Sequence, residues 1–221
     1  MLVVQNLSHQ FYRHGRPNVL FEGLSFELER GGRLAVLGRN GQGKSTLLKI
    51  LGGVLAPTSG RLSWGRARPS WPIGFAGAFQ GSLTGLDNIL FICRLYRCDA
   101  KEVIRRTEGF AELGEALTQE VKYYSTGMRA RLAFGLSLAV DFDYYLIDEV
   151  IVVGDARFQR KCQDELFNKR GSRGFIVATH DLNWVADMCD RAVVIERGRA
   201  TLYEHILEAV EAAASIQSEP A

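Results

Sequence analysis

Residues 38–46 read Gly38-Arg39-Asn40-Gly41-Gln42-Gly43-Lys44-Ser45-Thr46 and fit the glycine-rich phosphate loop G-x-x-x-x-G-K-[ST] at every fixed position. The spacing encodes a mechanism. The glycines let the backbone wrap a polyphosphate with its N–H groups, Lys44 reaches the outer phosphates, and the Ser45 hydroxyl can hold Mg²⁺. The flanks agree. Arg33–Leu37 is a short apolar run of strand type, and Ser45–Leu51 has helical spacing. The phosphates therefore meet a helix N-terminus with unpaired N–H groups and a positive dipole end. Gly38, Asn40, Gly41, Gly43, Lys44, Ser45 and Thr46 are the candidate contacts of a bound nucleotide.

Working outward, the chain of 221 residues is long enough for one domain, or for one domain with an inserted lobe. At 47% hydrophobic and 24% charged residues it can bury an ordinary core. No apolar stretch approaches the length of a bilayer span. The N-terminus, MLVVQNLSHQF, lacks the basic start and long apolar run of a secretion signal. The expectation is a soluble protein made in the cytosol, with any membrane role exerted through a partner. A net charge of +2 without a Lys/Arg block argues against nucleic acid as a partner. Cys93, Cys98, Cys162 and Cys189 form no C-x-x-C pair and no zinc-site spacing, so they read as free, mostly buried thiols.

The first sixty residues alternate strand-like runs, Leu2–Val4, Val19–Phe21, Leu24–Leu28 and Arg33–Leu37, with breaks at His14–Pro17 and Arg30–Gly32. A turn at Ala56–Gly60 leads to a short strand, Arg61–Trp64. From about 80 to 140 the apolar residues take helical spacing, in Asp87–Tyr96, Ala100–Gly109 and Gly127–Val140, which predicts a helical lobe inserted into the sheet. Tyr144–Ile147, Gly174–Ala178 and Ala192–Ile195 are continuous apolar runs separated by helices, the pattern of parallel strands covered on both faces. The polar tail Ser215–Ala221 is expected to be disordered.

Two further pieces bear on chemistry. The buried run Tyr144–Ile147 ends in Asp148-Glu149, and ligands of parallel α/β sheets gather at the carboxyl ends of strands. Asp148 then lies beside the phosphate loop to orient Mg²⁺, and Glu149 becomes the base or orienting group for an attacking water. Ser125-Thr126-Gly127 precedes a helix, whose N-terminus is a second anion-binding end.

Here the chain resembles the ATP-binding cassette (ABC) family, whose signature reads Leu-Ser-Gly-Gly-Gln. Ser125 and Gly127 are kept, while Tyr124, Thr126 and Met128 depart. The resemblance implies an α/β, P-loop nucleotide-hydrolase core, with a mixed, mostly parallel sheet, an N-terminal antiparallel β part and an inserted helical subdomain. It implies a single ABC domain over residues 1–221, with ATP and Mg²⁺ as ligands. It also implies a head-to-tail dimer in which each nucleotide lies between the phosphate loop of one copy and the signature of a second. His180 matches the switch histidine at the γ-phosphate. Asp155 matches the dimer-contacting aspartate, unless it only caps the next helix. Phe11 stands where an aromatic stacks on adenine, and neighbouring Tyr12 can serve instead. Gln80 matches the glutamine that reaches Mg²⁺ and the attacking water, although Leu83-Thr84 follows closely enough to displace it.

The stretches Trp71–Phe75, Phe79–Gly85, Tyr124–Leu132 and Asp141–Glu149 are similar to ATP-binding subunits of bacterial capsular polysaccharide exporters. That resemblance implies a peripheral ATPase on the cytoplasmic face of a Gram-negative inner membrane. Its partners would be an integral-membrane permease subunit, which handles a lipid-linked polysaccharide, and a second copy of itself. O-antigen and teichoic acid exporters are the neighbouring alternative. Many O-antigen versions carry a C-terminal glycan-binding domain, and only about 25 residues follow Ile195 here. Soluble ABC ATPases of DNA repair or translation insert a coiled coil or fuse two cassettes, whereas Ser125 stands only 81 positions after Lys44. A nucleotide switch that never turns over has no use for Glu149 and His180.

Overall fold

Two kinds of strand meet in one sheet. The computed structural model describes residues 1–13, 15–73, 79–149, 156–169 and 172–218. The chain divides into a first unit, Met1–Pro72 with Phe142–Val150 and Ser172–Ala221, and a second, Ile73–Asp141 with Ile151–Gly171.

Among the described residues the first unit is built on nine strands: β1 Leu2–Arg13, β2 Arg16–Leu28, β3 Arg33–Leu37, β4 Ser59–Ser63, β5 Pro69–Ile73, β6 Tyr144–Asp148, β7 Gly174–Ala178, β8 Arg191–Glu196 and β9 Gly198–Tyr203. Their order is β4-β1-β2-β9-β8-β3-β7-β6-β5. The pairs β8–β3, β3–β7 and β7–β6 are parallel, while β4–β1, β1–β2 and β9–β8 are antiparallel. This is the mixed sheet with an N-terminal antiparallel part that the sequence implied.

The parallel strands are apolar along their length because helices cover both faces. Leu34, Val36, Leu146, Ile176, Val193 and Ile195 are buried, and Leu47, Leu48, Ile50 and Leu51 of helix α1 (Lys44–Leu51) join their core. Fully burying one such side chain contributes about 1.5–3 kcal/mol, so this layer holds the loop entering α1 in place. Trp64 Nε1 donates to Leu51 O at 2.8 Å, occupying a carbonyl that the end of α1 leaves unpaired. Helices α6 (Leu182–Met188) and α7 (Ile206–Ser218) also belong to this unit. Ala209 and Ala213 are the buried residues of α7, which packs on β8 and α6.

Several elements differ from the sequence expectation. β1 and β2 run 12 and 13 residues, because bulges in their pairing keep polar positions such as Ser8 and Gln10 within the ladder. β5 contains prolines and sits at the sheet edge, where a missing N–H is tolerated. β9 alternates polar and apolar residues and is stabilised by pairing with β8. Ser215–Ser218, assigned above to a disordered tail, continue α7. The Ser215 hydroxyl donates to Glu211 O at 3.0 Å and the Ser218 hydroxyl to Ser215 O at 2.8 Å, on an alanine-rich helix.

The second unit holds α2 (Gly85–Tyr96), α3 (Ala100–Ala111), α4 (Thr126–Ala139) and α5 (Ala156–Gln163), the last extended by a π-helical turn at Asp164–Asn168. Helix starts are marked by side chains. Thr84 and Asp87 form a reciprocal capping box on α2, and Asp99 accepts from Lys101 N at 3.0 Å on α3. Gly135 lets α4 approach α3, since an added Cβ would lie 3.1 Å from Thr107 O. Phe158 meets Phe110 and Phe134 edge-on at 5.4 and 6.4 Å.

Candidate functional site

The loop between β3 and α1 is held open by its glycines. Gly38 has φ +142° and stands against the backbone of Ile195, so that any Cβ there collides with the Ile195 carbonyl. Gly43, at φ +112°, lies against Leu20 of β2. Lys44 is buried, and its Nζ donates to Gly38 O at 2.8 Å and to Arg39 O at 3.1 Å. Burial pulls its pKa below the ordinary lysine value, while the carboxylates of Glu149 and Asp148 raise it. The ammonium is thus curled into the turn of the loop, on two acceptors that a phosphate can replace.

Ser45 and Asp148 come together from different elements. The Ser45 hydroxyl, on the first turn of α1, donates to Asp148 Oδ1 at 2.8 Å at the end of β6. The parallel pairing of β6 with β7, and of β7 with β3, brings the strand end to the loop. Glu149 follows directly, its N–H donating to Ala178 O at 2.9 Å, one step beyond the β6–β7 ladder. Its carboxylate oxygen lies 3.8 Å from His180 Nδ1. Asp181, next to His180, caps α6 by accepting from Trp184 N at 3.0 Å. The structure therefore assembles Lys44, Ser45, Asp148, Glu149 and His180 in the first unit. Thr46 is half-buried on α1, Gly41 is exposed, and Asn40 lines a depression of about 530 Å³ with Gly38, Arg39, Gln42, His180 and Gln217.

Phe11 and Tyr12 are separated by the pleat. From Gln10 to Tyr12 the pairing with β2 is regular, so neighbouring side chains point to opposite faces. Phe11 is 44% exposed and its ring meets the buried His9 ring, whereas Tyr12 is 73% exposed on the other face.

Ser125, Gly127 and Gln80 belong to the second unit. Ser125 caps α4, accepting from Met128 N at 3.2 Å. An added Cβ at Gly127 would meet only Ser125 Oγ at 3.9 Å. No packing contact among the described residues requires glycine in that first turn, where it costs about 0.5–1 kcal/mol relative to alanine. Gln80 is exposed. Its backbone is clasped by buried Asn88, which accepts from Gln80 N at 2.9 Å and donates to Gln80 O at 3.1 Å. Asp155 lies outside the described residues.

Arg39 and Gln42 line the depression from variable positions of the motif, and the spacing of fixed residues carries no signal for them. Gln42 Oε1 accepts from Arg197 N at 3.2 Å. Gln217 reaches the same depression from α7, and its helical character was hidden in a polar tail. All four cysteines are free. Burial pushes the Cys162 and Cys189 thiols up to about 12, so they stay protonated and inert near neutral pH. Among the described residues no group of three or more His, Cys, Asp or Glu could hold a metal, and no helix is long and apolar enough to cross a membrane.

Comparison with known proteins bears on this geometry. Residues 21–152, which include the phosphate loop, Ser125 and Asp148-Glu149, match the ABC transporter family. ATP-binding protein BexA of Haemophilus influenzae is 50% identical over 198 residues, covering 90% of this chain and 91% of its own length. Capsule polysaccharide export ATP-binding protein CtrD of Neisseria meningitidis serogroup B is 49% identical over 212 residues, covering 96% and 97%. O-antigen export system ATP-binding protein RfbB of Klebsiella pneumoniae is 39% identical over 191 residues, covering 84% and 76%. Among solved structures, a dimeric ATP-binding cassette in a post-hydrolysis state bound to ADP and Pi aligns with a TM-score of 0.75 at 20% identity, covering 92% of this chain and 98% of that one. The motifs, the sheet that brings them together and these likenesses agree, and the chain belongs to the ABC transporter family.

Proposed function

We propose that this chain is the ATP-hydrolysing subunit of an ABC transporter that exports capsular polysaccharide across the bacterial inner membrane. The observation that carries the hydrolytic reading is the 2.8 Å contact of Ser45 with Asp148, with Glu149 adjoining it and buried Lys44 in the loop. Ser45 Oγ and Asp148 Oδ1 form a hard oxygen pair, which fits Mg²⁺, an ion commonly held by one or two protein oxygens plus substrate phosphates. Mg²⁺ bound there supplies neutralisation of phosphate charge.

The chain's own groups then divide the work. Lys44 exchanges the carbonyls of Gly38 and Arg39 for the outer phosphate oxygens of ATP. Glu149 accepts a proton as the water oxygen bonds to the γ-phosphorus, and the bond to the β–γ bridging oxygen breaks to leave ADP and phosphate. His180 donates to the transferring phosphoryl group, and Phe11 stacks on the base. Gln80 is the residue that would serve the metal and the attacking water. Ser125 and Gly127 of a second copy close over the γ-phosphate, so that hydrolysis removes the bridge between two chains. That opening and closing drives an integral-membrane partner, while the chain itself stays peripheral on the cytoplasmic face.

The cargo reading rests on the higher identity and nearly full-length coverage of the capsule relative CtrD compared with the O-antigen relative RfbB. The chemistry is tested by Glu149→Gln. Removing a general base costs about 10²–10⁴ in kcat. Turnover is expected to fall by that factor while ATP still binds and dimers accumulate in sedimentation; wild-type turnover would exclude Glu149 as the base. Deleting the gene in its host and staining the cell surface tests the cargo. Loss of capsule with intact O-antigen is expected, and the reverse pattern overturns capsule export.

A further inference from the structure

His9 is an unusual residue for the place it occupies. It is 6% exposed in the strand β1, among apolar neighbours, and nothing in the hydrolytic scheme above uses it. The pairing of β1 with β2 is irregular on both sides of it. Leu7 pairs with Leu24, His9 with Phe21 and Gln10 with Val19, so β2 carries an extra residue before and after the His9–Phe21 pair. Bulges of this kind re-aim side chains and recur next to functional sites. Here the second bulge adds Leu20, the residue that lies against Gly43 of the phosphate loop.

The imidazole is held from two directions. Thr58 Oγ1 lies 3.5 Å from Nδ1 and accepts from Gln10 N at 3.1 Å. Nε2 is buried and has no hydrogen-bond partner among the described residues. Burial lowers the His9 pKa, which keeps the ring uncharged near neutral pH. On its other side the ring meets Phe11, with centroids 4.6 Å apart and planes at 85°. This is the edge-to-face arrangement that aromatic pairs prefer. The Phe11 ring is thereby buttressed on one side while 44% of the residue stays open.

We propose that His9 is a positioning residue for the nucleotide base: it props the Phe11 ring so that an open face is held ready to stack on a purine. The inference rests on the reading of this chain as an ATPase with Phe11 as its base platform. An aromatic pair of this kind is worth about 0.5–1.5 kcal/mol, which sets an upper bound of about 2- to 13-fold on the affinity lost with it.

The test compares two ligands on the full chain in the presence of Mg²⁺: ATP, which has a base, and inorganic tripolyphosphate, which has none. For His9→Ala we expect ATP affinity to fall about fivefold and tripolyphosphate affinity to stay within about twofold, with KM for ATP rising at nearly constant kcat. His9→Phe, which restores a ring edge, is expected to recover the ATP-to-tripolyphosphate ratio. If His9→Ala does not yield folded protein, His9→Asn replaces it with the same expectation. Equal losses for both ligands, or an unchanged ratio, overturn the proposal. Phe11→Ala separates the two layers of the argument. If it lowers the ratio and the His9 variants do not, only the role of His9 falls; if it leaves the ratio unchanged, the Phe11 platform falls with it.

Discussion

Glu149 has a backbone φ of +63°, in the left-handed region that residues with a Cβ rarely enter. Its N–H is pinned to Ala178 O, so the strand ladder imposes this conformation on the residue. Strain of this sort collects at functional sites, because the surrounding structure over-determines a conformation the residue would not choose. A glycine adopts that conformation freely. We expect Glu149→Gly to be more stable than Glu149→Ala by about 1 kcal/mol in denaturant unfolding, although both lack the carboxylate. Equal stabilities would mean that the strain is relaxed in solution. Lys44 and Ser45 were legible as residues because the phosphate loop fixes their types and spacing, and Asp148 because it ends a continuous apolar run. His9 was not. A lone histidine in a strand has no motif, and only the ring geometry around Phe11 separates it from an ordinary core residue.

Helix N-termini are the elements on which this chain spends its polar side chains. Ser125 caps α4 through Met128 N, and the same hydroxyl is the one assigned to a second copy's nucleotide. The two roles separate by substitution. Ser125→Ala removes the cap and is expected to cost about 1 kcal/mol of stability along with ATP turnover. Ser125→Asp keeps a capping oxygen and complements the helix dipole, so its stability should match wild type within a few tenths of a kcal/mol. Its negative charge opposes a phosphate, and ATP hydrolysis should fall at least tenfold, as about 1.4 kcal/mol of repulsion would produce. If Ser125→Asp hydrolyses ATP normally, Ser125 is a cap and nothing more. Helical spacing made α2, α3 and α4 readable to within two residues at their ends. β5 and β9 were not readable, since an edge strand with prolines and a strand of alternating small and polar residues owe their state to their partners.

For the whole molecule, the division of labour between the two units predicts complementation. In a head-to-tail pair, a Lys44→Ala chain and a Ser125→Asp chain together form one pocket with both defects and one with neither. Each variant alone should be nearly inactive, and their mixture should recover measurable ATPase activity that rises with protein concentration. No recovery at any mixing ratio would exclude shared pockets. The net charge of +2 gives no long-range field to bring copies together, so ATP held between the paired surfaces is expected to drive association.

Spacing was sufficient for the phosphate loop, the carboxylate pair after a buried strand and the serine before a helix, because each is a local pattern whose chemistry depends on neighbours in the chain. It was sufficient as well for the parallel core, whose strands must be apolar on both faces. Register and approach between distant segments were settled only in three dimensions. The pleat of β1 puts Phe11, not Tyr12, on the face of His9, and bulges in β2 bring Leu20 against Gly43. The end of α7 carries Gln217 to the depression beside His180. None of these has a sequence signature, since a one-residue slip in pairing would reverse the faces without altering any motif.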